Sequence, residues 1–228
     1  MKWITVIVLL LICNLSFADC VILIHGLGRS DASMTSIEAA LQKDAYTVIN
    51  THYSAKGKSV SMLANEVIPR AITQCPKEQN IHFVTHSLGG ILLREYLNQH
   101  ELPQLKRVVM LGPPNTGSEI VDALNGSFLK KPLQGEAVLQ LGTDKSSKPN
   151  TLNNIDAQLG IIAGNRSINW VLSSIIPGED DGKVSVNNTK LDEMDDHIVL
   201  PVTHTFMMQN KHVIQQIIAF LDNGYFSR

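Results

Sequence analysis

The chain has 228 residues, 44% of them hydrophobic, and its formal net charge at pH 7 is −2. This length and hydrophobic content are enough to bury the core of one globular domain. The charge balance argues against a protein that binds nucleic acid.

No HExxH, paired-cysteine or regular aspartate motif indicates a metal site. We therefore interpret the acidic cluster at 192–196 as a solvated turn and expect no cofactor.

Residues 1–18 have the features of a cleavable secretory signal peptide. Lys2 precedes an apolar run from Trp3 to Cys13, and the segment ends in Ser-Phe-Ala. An uncleaved membrane anchor is the alternative, but the apolar run is shorter than the roughly 20 residues that a transmembrane helix needs. We therefore expect a mature domain, residues 19–228, that is exported to the periplasm or the extracellular space.

Apolar runs alternate with helical patterns along the mature chain. The run Cys20–Ile24 is continuously apolar, as expected of a strand buried on both faces of a parallel sheet. The later predicted elements are a helix around residues 34–41, a strand at 46–50, a helix at 60–72 bent by Pro69, a strand at 81–84, a helix around 91–97, strands at 107–111, 159–163 and 197–202, and a closing helix around 213–221. This alternation predicts a mostly parallel, six-stranded α/β sheet with helices on both faces.

The alternation is interrupted between about residues 117 and 154, where the chain is polar and rich in turn-forming residues. Long connections of this kind are usually functional or mobile. We expect a small cap segment above the strand ends, and a simple surface excursion is the alternative. Its apolar side chains are candidates for an acyl groove: Ile120, Val121, Leu124, Phe128, Leu129, Val138 and Leu139.

Ser87 lies where a predicted strand turns sharply into a predicted helix. The sequence Thr-His-Ser-Leu-Gly-Gly at 85–90 resembles the GxSxG nucleophile elbow, with Thr85 in place of the first glycine. The elbow needs small residues two before and two after the serine, and Gly89 and Gly90 provide space behind it. We predict that Ser87 is a nucleophile.

A glycine-rich turn, His25-Gly26-Leu27-Gly28, follows the first strand. It matches neither GxGxxG nor GxxxxGK[ST], so a nucleotide-phosphate loop is not indicated. The remaining interpretation is an oxyanion loop, in which the backbone amides of Leu27 and Leu88 bind the oxyanion.

A nucleophilic serine needs a base at the same edge of the sheet, after the carboxyl end of a strand. Of the eight histidines, His204 follows the sixth strand at this edge and is the predicted base. His212, which enters the last helix, is the second choice.

The orienting acid is expected between the fifth strand and the histidine. The acidic turn that includes Asp180, Asp181 and Gly182 precedes the sixth strand, and we favour Asp181 because the glycine directly after it relaxes the chain. Asp180 remains an alternative, as does Asp122 after the fourth strand.

Five motifs in this order resemble the small lipases and esterases of the α/β-hydrolase fold. They are His25–Gly28, Thr85–Gly90, Pro113–Ser118, Asp181–Val184 and His204. The resemblance implies that Leu27 is the oxyanion residue, that His86 is the histidine beside the nucleophile, and that Asp181 is the acid.

The chain departs from these lipases at three positions. Thr85 replaces the elbow glycine, and Asn115 stands where many of them carry histidine. Phe206 occupies the place of an aspartate that binds calcium in some of them, so we do not expect a calcium site.

The sequence thus predicts a serine hydrolase that cleaves carboxylic esters through an acyl-enzyme. Its expected substrate is a small-molecule or lipid ester, and the expected partners include no nucleic acid and at most a transient contact with a membrane surface. An acyltransferase using the same triad and a non-catalytic hydrolase-fold binding protein are the alternatives. The complete triad argues against the binding protein, which has no need for a base and an acid in these loops.

Cys20 and Cys75 remain in the mature domain and precede predicted strands. Both therefore fall at the sheet edge opposite the candidate site, and export permits a disulfide between them. We predict this disulfide; two free thiols are the alternative.

Overall fold

The computed structural model describes residues 19–125 and 135–228, so the predicted signal peptide lies outside the described residues. Six parallel strands form one sheet in the order β2-β1-β3-β4-β5-β6. The strands are β1 (Cys20–Ile24), β2 (Thr47–Asn50), β3 (Ile81–His86), β4 (Leu105–Leu111), β5 (Gln158–Gly164) and β6 (Asp196–Leu200). The predicted α/β sheet is confirmed, and its strands are all parallel rather than mostly so.

Helices separate most of the strands. They are α1 (Thr35–Lys43), α2 (Val60–Ile72), α3 (Leu88–Leu97), α4 (Glu119–Asn125), α5 (Glu136–Leu139), α6 (Trp170–Ser173) and α7 (Lys211–Asn223). Asn210 caps α7 by accepting hydrogen bonds from two backbone amides, and Gly224 ends it in the left-handed conformation. Among the described residues, no helix is both long and apolar enough to cross a membrane.

Alternate side chains of the strands enter two cores, one on each face of the sheet. In β1, Ile22 and Ile24 pack on the face that α2 and α3 cover. Val21 and Leu23 pack on the opposite face, against α1 and α7. Because both faces are covered, β1 is continuously apolar and the central parts of β4 and β5 are largely so, which makes them recognisable in the sequence.

The sheet order determines where a site can form. The chain runs from β1 outward to β2 and then returns to β3 on the other side of β1. In open parallel sheets this switch creates a crevice at the carboxyl ends of the strands. The loops after β1 and β3 therefore meet there, and the loops after β4, β5 and β6 end at the same edge.

The acidic cluster at 192–196 differs from the solvated turn that the sequence predicts, because two of its carboxylates bind backbone amides. Asp195 Oδ2 accepts a hydrogen bond from the Leu159 amide at 2.7 Å, and Asp196 Oδ2 accepts one from the Phe226 amide at 2.8 Å. These carboxylates bind the start of β5 and the C-terminal segment, which are distant in sequence. Within 19–125 and 135–228, no group of three or more His, Cys, Asp or Glu side chains is arranged to hold a metal ion.

The predicted disulfide joins Cys20 at the start of β1 to Cys75 after α2, with their Cα atoms 5.9 Å apart. It lies at the amino end of the strands, away from the crevice. It closes a loop across a sequence separation of 55 residues, and crosslinks of this kind restrict the unfolded chain.

Replacing both cysteines with alanine should lower the free energy of unfolding by about 2 to 4 kcal/mol. Urea denaturation of the mature domain measures this change. Reduced wild-type protein is the control, because it loses the crosslink but keeps both side chains. Equal denaturation midpoints for the reduced and oxidised wild type would show that the bond contributes nothing.

Candidate active site

Ser87 is held in a strained conformation between β3 and α3. Its backbone angles are φ 53° and ψ −120°, a region that non-glycine residues rarely occupy and that costs roughly 1 to 3 kcal/mol. The Ser87 amide donates to Leu111 O at 2.9 Å, and Ser87 O accepts from the Gly90 amide at 3.0 Å. These bonds hold the strained turn, and the serine faces a cleft.

Close backbone approach explains the small residues around Ser87. A Cβ atom on Gly89 would lie 2.5 Å from Ile24 O, so α3 could not start at this distance from β1 with a larger residue there. Thr85 is fully buried, and a Cβ atom on Gly90 would lie 3.3 Å from its Oγ1. The second glycine therefore makes room for threonine where the elbow pattern has glycine.

Asp181 and His204 form a buried pair at the same edge of the sheet. Asp181 Oδ2 lies 2.7 Å from His204 Nδ1, while Asp181 Oδ1 accepts from the amides of Lys183 and Val184 at 3.0 and 2.9 Å. The His204 amide also donates to Asp181 O at 2.9 Å. A carboxylate can only accept, so Nδ1 carries the proton and Nε2 has a free lone pair.

The alternative acids, Asp180 and Asp122, bind other groups, and the alternative base, His212, is exposed to solvent. Asp180 Oδ1 accepts from Ser173 Oγ at 2.8 Å and from the Gly182 amide at 2.7 Å. Asp122 accepts from the backbone and hydroxyl of Thr143. His212 is exposed at the start of α7. Of these candidates, the structure brings only Asp181 together with His204.

His86 supports the position of His204. Its Nε2 donates to His204 O at 3.0 Å, and the two rings are 4.7 Å apart. Complete burial, followed by the positive charge that His204 can carry, holds the pKa of His86 well below its usual range. His86 is therefore neutral and fixes the backbone of His204.

The glycine-rich turn at 25–28, which we predict to be the oxyanion loop, is supported by Tyr53, which sequence reasoning missed. Tyr53 Oη donates to His25 O at 2.6 Å, and its ring stacks on the His25 ring at 4.1 Å. A Cβ atom on Gly26 would lie 3.0 Å from Ser87 Cβ, so this turn passes directly beside the serine. Tyr53 is an isolated tyrosine after β2, and no sequence pattern distinguishes it.

Leu27 and Leu88, the predicted oxyanion residues, both line the cleft beside Ser87. Leu88 is the first residue of α3, where backbone amides have no partner within the helix. Such amides stabilise a nearby negative charge. The arrangement can therefore hold an oxyanion next to a serine.

Residues 20–157 match the sequence model of a family described as palmitoyl protein thioesterase. This match spans more than half of the chain. The chain belongs to the palmitoyl protein thioesterase family. The matched region contains Ser87 and the glycine-rich turn at 25–28 and ends before Asp181 and His204. No curated protein matches the sequence significantly.

Solved structures share the fold of this family member. Bacillus licheniformis lipase BlEst2 in its mature form has a TM-score of 0.71 at 21% identity, covering 92% of this chain and 93% of that one. The lin2722 product of Listeria innocua has a TM-score of 0.61 at 17% identity, covering 92% of this chain and 96% of that one. The metagenomic carboxyl esterase MGS0156 has a TM-score of 0.61 at 15% identity, covering 83% of this chain and 65% of that one. The fold is that of α/β-hydrolase lipases and esterases, as the motif order implied.

The cleft of this family member has a volume of about 910 Å³. Ser87 and His204 line it, and the predicted cap segment contributes five apolar side chains to its lining: Ile120, Val121, Leu124, Val138 and Leu141. Leu139, one of the candidates for the acyl groove, is 39% exposed and is not among the residues that line the cleft. Phe128 and Leu129 lie outside the described residues.

Asn115 anchors the loop after β4. It is buried, its Nδ2 donates to Thr189 O at 2.8 Å, and its backbone O accepts from Arg94 Nη1 at 2.9 Å. Arg94 also donates to Leu152 O at 3.2 Å. Asn115 thus connects the loop directly to the segment around 189 and, through Arg94, to the segment around 152.

Gly112 lies against the Asp181–His204 pair. It has φ +51°, and a Cβ atom there would lie 2.9 Å from Asp181 Oδ2 and 3.1 Å from His204 Nδ1. Replacing Gly112 with alanine should therefore displace this pair and lower kcat by about 100-fold, as small displacements of catalytic groups do.

The matched control for Gly112→Ala is Gly178→Ala. Gly178 also has a positive φ of +81°, but nothing lies within 4 Å of its Cβ position. Both variants should lose stability through backbone strain, while only Gly112→Ala should lose activity per folded molecule. Comparable activity losses in the two variants would mean that the contact with the pair is unimportant.

Proposed function

We propose that this protein is an exported serine hydrolase that cleaves carboxylic esters with an apolar acyl chain. The observation that supports this most strongly is the buried hydrogen bond of 2.7 Å between Asp181 and His204, in the same cleft as a strained serine. A histidine and an aspartate that serve only the fold are rarely hydrogen-bonded to each other beside a nucleophile elbow.

In the proposed reaction, Ser87 Oγ attacks the ester carbonyl carbon while His204 Nε2 takes the hydroxyl proton. Asp181 stabilises the resulting imidazolium, and the Leu27 and Leu88 amides bind the oxyanion. The bond to the leaving group then breaks as His204 donates its proton to the leaving atom. Water attacks the acyl-enzyme by the same steps in a second cycle and releases the acid.

The apolar cap side of the cleft is the proposed acyl site. Its aliphatic side chains offer no hydrogen-bonding groups, so a long acyl chain gains affinity there by burial alone. The family description names a thioesterase of palmitoyl proteins, which favours thioesters as a second candidate substrate class. The same triad serves both, because only the leaving atom differs.

An exposed apolar patch beside the cleft supports substrate uptake from a lipid surface. The patch consists of Ile168, Trp170, Val171 and Ile175, and Trp170 is 81% exposed. Leu172, within the same short segment, lines the cleft. A contiguous apolar surface next to a cleft is typical of contact with lipid or protein.

Export is proposed on two grounds. Residues 1–18 have the pattern of a signal peptide, and disulfides such as Cys20–Cys75 persist in oxidising compartments. A non-catalytic binding protein is less consistent with the strained backbone at Ser87, because binding alone does not need a serine held in this conformation. Transfer of the acyl group to an alcohol instead of water uses the same residues and is distinguished by the products.

The test is a series of p-nitrophenyl esters of increasing chain length, with matched thioesters. Each buried CH2 contributes about 0.8 kcal/mol, so kcat/KM should rise over several extensions beyond the acetate and rise again with emulsified substrate. A steady fall from the two-carbon ester onward, without a gain in emulsion, would indicate a small-substrate esterase. Absence of hydrolysis throughout would contradict the proposed function.

A further inference from the structure

Arg29 and Lys183 are two of the cations that line the cleft containing Ser87 and His204. Arg29 follows the glycine-rich turn at 25–28, and Lys183 lies two residues after Asp181. In the part of the chain that the structure describes, neither forms a salt bridge. The Arg29 side chain makes one long contact, from Nη2 to Thr205 O at 3.4 Å, and no hydrogen bond to Lys183 Nζ is found among these residues.

Lys183 has a fixed backbone, and its ammonium group has no hydrogen-bond or salt-bridge partner within 19–125 and 135–228. Its amide donates to Asp181 Oδ1 at 3.0 Å, and its carbonyl accepts from Ser118 Oγ at 2.9 Å. The side chain therefore starts from a defined point beside the triad. Its charge is available to a ligand in the cleft rather than committed to the protein.

The charge of the cleft is opposite to that of the whole chain. Arg29, Lys56 and Lys183 line it, against one acid, Glu136, among its described residues, although the chain carries a net charge of −2. Enclosure in the cleft lowers the pKa of Lys183 and the positive charge of Arg29 lowers it further, while the Asp181 carboxylate offsets part of this by raising it. The two cations thus repel each other, and an anion between them would remove that cost.

The position of the cations indicates which part of a substrate they meet. Arg29 contacts the residue after His204, and Lys183 is hydrogen-bonded through its amide to Asp181. His204 must protonate the leaving atom, so the leaving group lies on this side of the cleft. The proposed acyl side is formed by the apolar cap residues Ile120, Val121, Leu124, Val138 and Leu141.

We propose that Arg29 and Lys183 bind a phosphate carried by the leaving group of the ester or thioester. This inference rests on the proposed function and specifies its substrate class. The planar guanidinium forms two parallel hydrogen bonds to phosphate, and the ammonium adds a point charge. The phosphate can belong to the glycerol phosphate of a lipid or to a phosphopantetheine thiol, and the two sources are separable by experiment.

The experiment compares two pairs of substrates with the same butyryl group. One pair is butyrylglycerol and butyrylglycerol 3-phosphate; the other is S-butyrylpantetheine and its 4′-phosphate. Within each pair only the phosphate differs. In wild type, kcat/KM for the phosphorylated member should exceed that of the neutral one by about tenfold in at least one pair, the effect of a single hydrogen bond between charged groups.

Variants of Lys183 connect this preference to the cleft. Lys183→Gln should reduce the ratio of phosphorylated to neutral kcat/KM by about tenfold, and Lys183→Glu should bring it below one. Arg29→Gln should lower the same ratio. The control is Lys77→Gln, which removes an equal charge from an exposed position near the disulfide, away from the cleft, and should leave the ratio unchanged.

The outcomes separate this inference from the function on which it rests. A preference in the glycerol pair alone identifies a lipid head group, and one in the pantetheine pair alone identifies a thiol carrier; both support phosphate binding. Hydrolysis of the neutral substrates with no phosphate preference, or a preference that survives Lys183→Glu, would overturn the inference alone. No hydrolysis of any substrate would overturn the proposed function and this inference together.

Discussion

Replacing Ser87 with alanine should lower kcat by about a millionfold, to the residual rate that the oxyanion donors and binding provide. The loss is this large because no other side chain in the proposed reaction forms the covalent intermediate. The measurement is hydrolysis of the best p-nitrophenyl ester by purified protein, with folding checked by circular dichroism. Activity above 1% of wild type would exclude Ser87 as nucleophile.

Ser87→Gly provides an internal control for this variant. It should be as inactive as Ser87→Ala, because it also lacks the hydroxyl. Glycine tolerates the positive φ of 53° at this position, so Ser87→Gly should unfold at a higher temperature than Ser87→Ala. Equal melting temperatures would indicate that the strain at the turn is not significant in solution.

Asp181→Asn should lower kcat by about 10⁴-fold by reversing the tautomer of His204. The amides of Lys183 and Val184 require an acceptor, so the asparagine oxygen must face them. Its NH2 group then points to His204 Nδ1, which becomes the acceptor. The proton moves to Nε2, and the histidine can no longer remove the serine proton.

Asp180→Asn is the matched control, since it makes the same chemical change one residue earlier. Asp180 Oδ1 accepts from Ser173 and Gly182, and an asparagine oxygen can accept both bonds. We expect near-normal activity in this variant. If Asp180→Asn loses activity while Asp181→Asn retains it, Asp180 is the acid.

The fold was largely predictable because buried parallel strands leave a direct signal. Runs such as Cys20–Ile24 are apolar without interruption, and their spacing left room for connecting helices. The strand ends were less accurate: β4 begins at Leu105 rather than 107, and β6 ends at Leu200 rather than 202. End residues are polar or half-buried and carry little pattern.

Within the site, residues with local motifs were predicted and those with only long-range contacts were not. Ser87 has the turn sequence around it, and the position of His204 follows from strand order. Tyr53 and Gly112 act through contacts with segments distant in the chain, and nothing in their local sequence indicates this. Asp180 and Asp181 are neighbours in the sequence, and the choice between them depends on which carboxylate contacts His204. That contact is visible only in the structure.

The most direct test of the account is reaction of the mature protein with a fluorophosphonate probe, followed by peptide mass spectrometry. A triad of Ser87, His204 and Asp181 predicts one covalent adduct, on Ser87, whose formation is abolished in Ser87→Ala and greatly slowed in Asp181→Asn. An adduct that persists in Ser87→Ala, or ester hydrolysis by wild type without any adduct on Ser87, would contradict the assignment of this serine as the nucleophile.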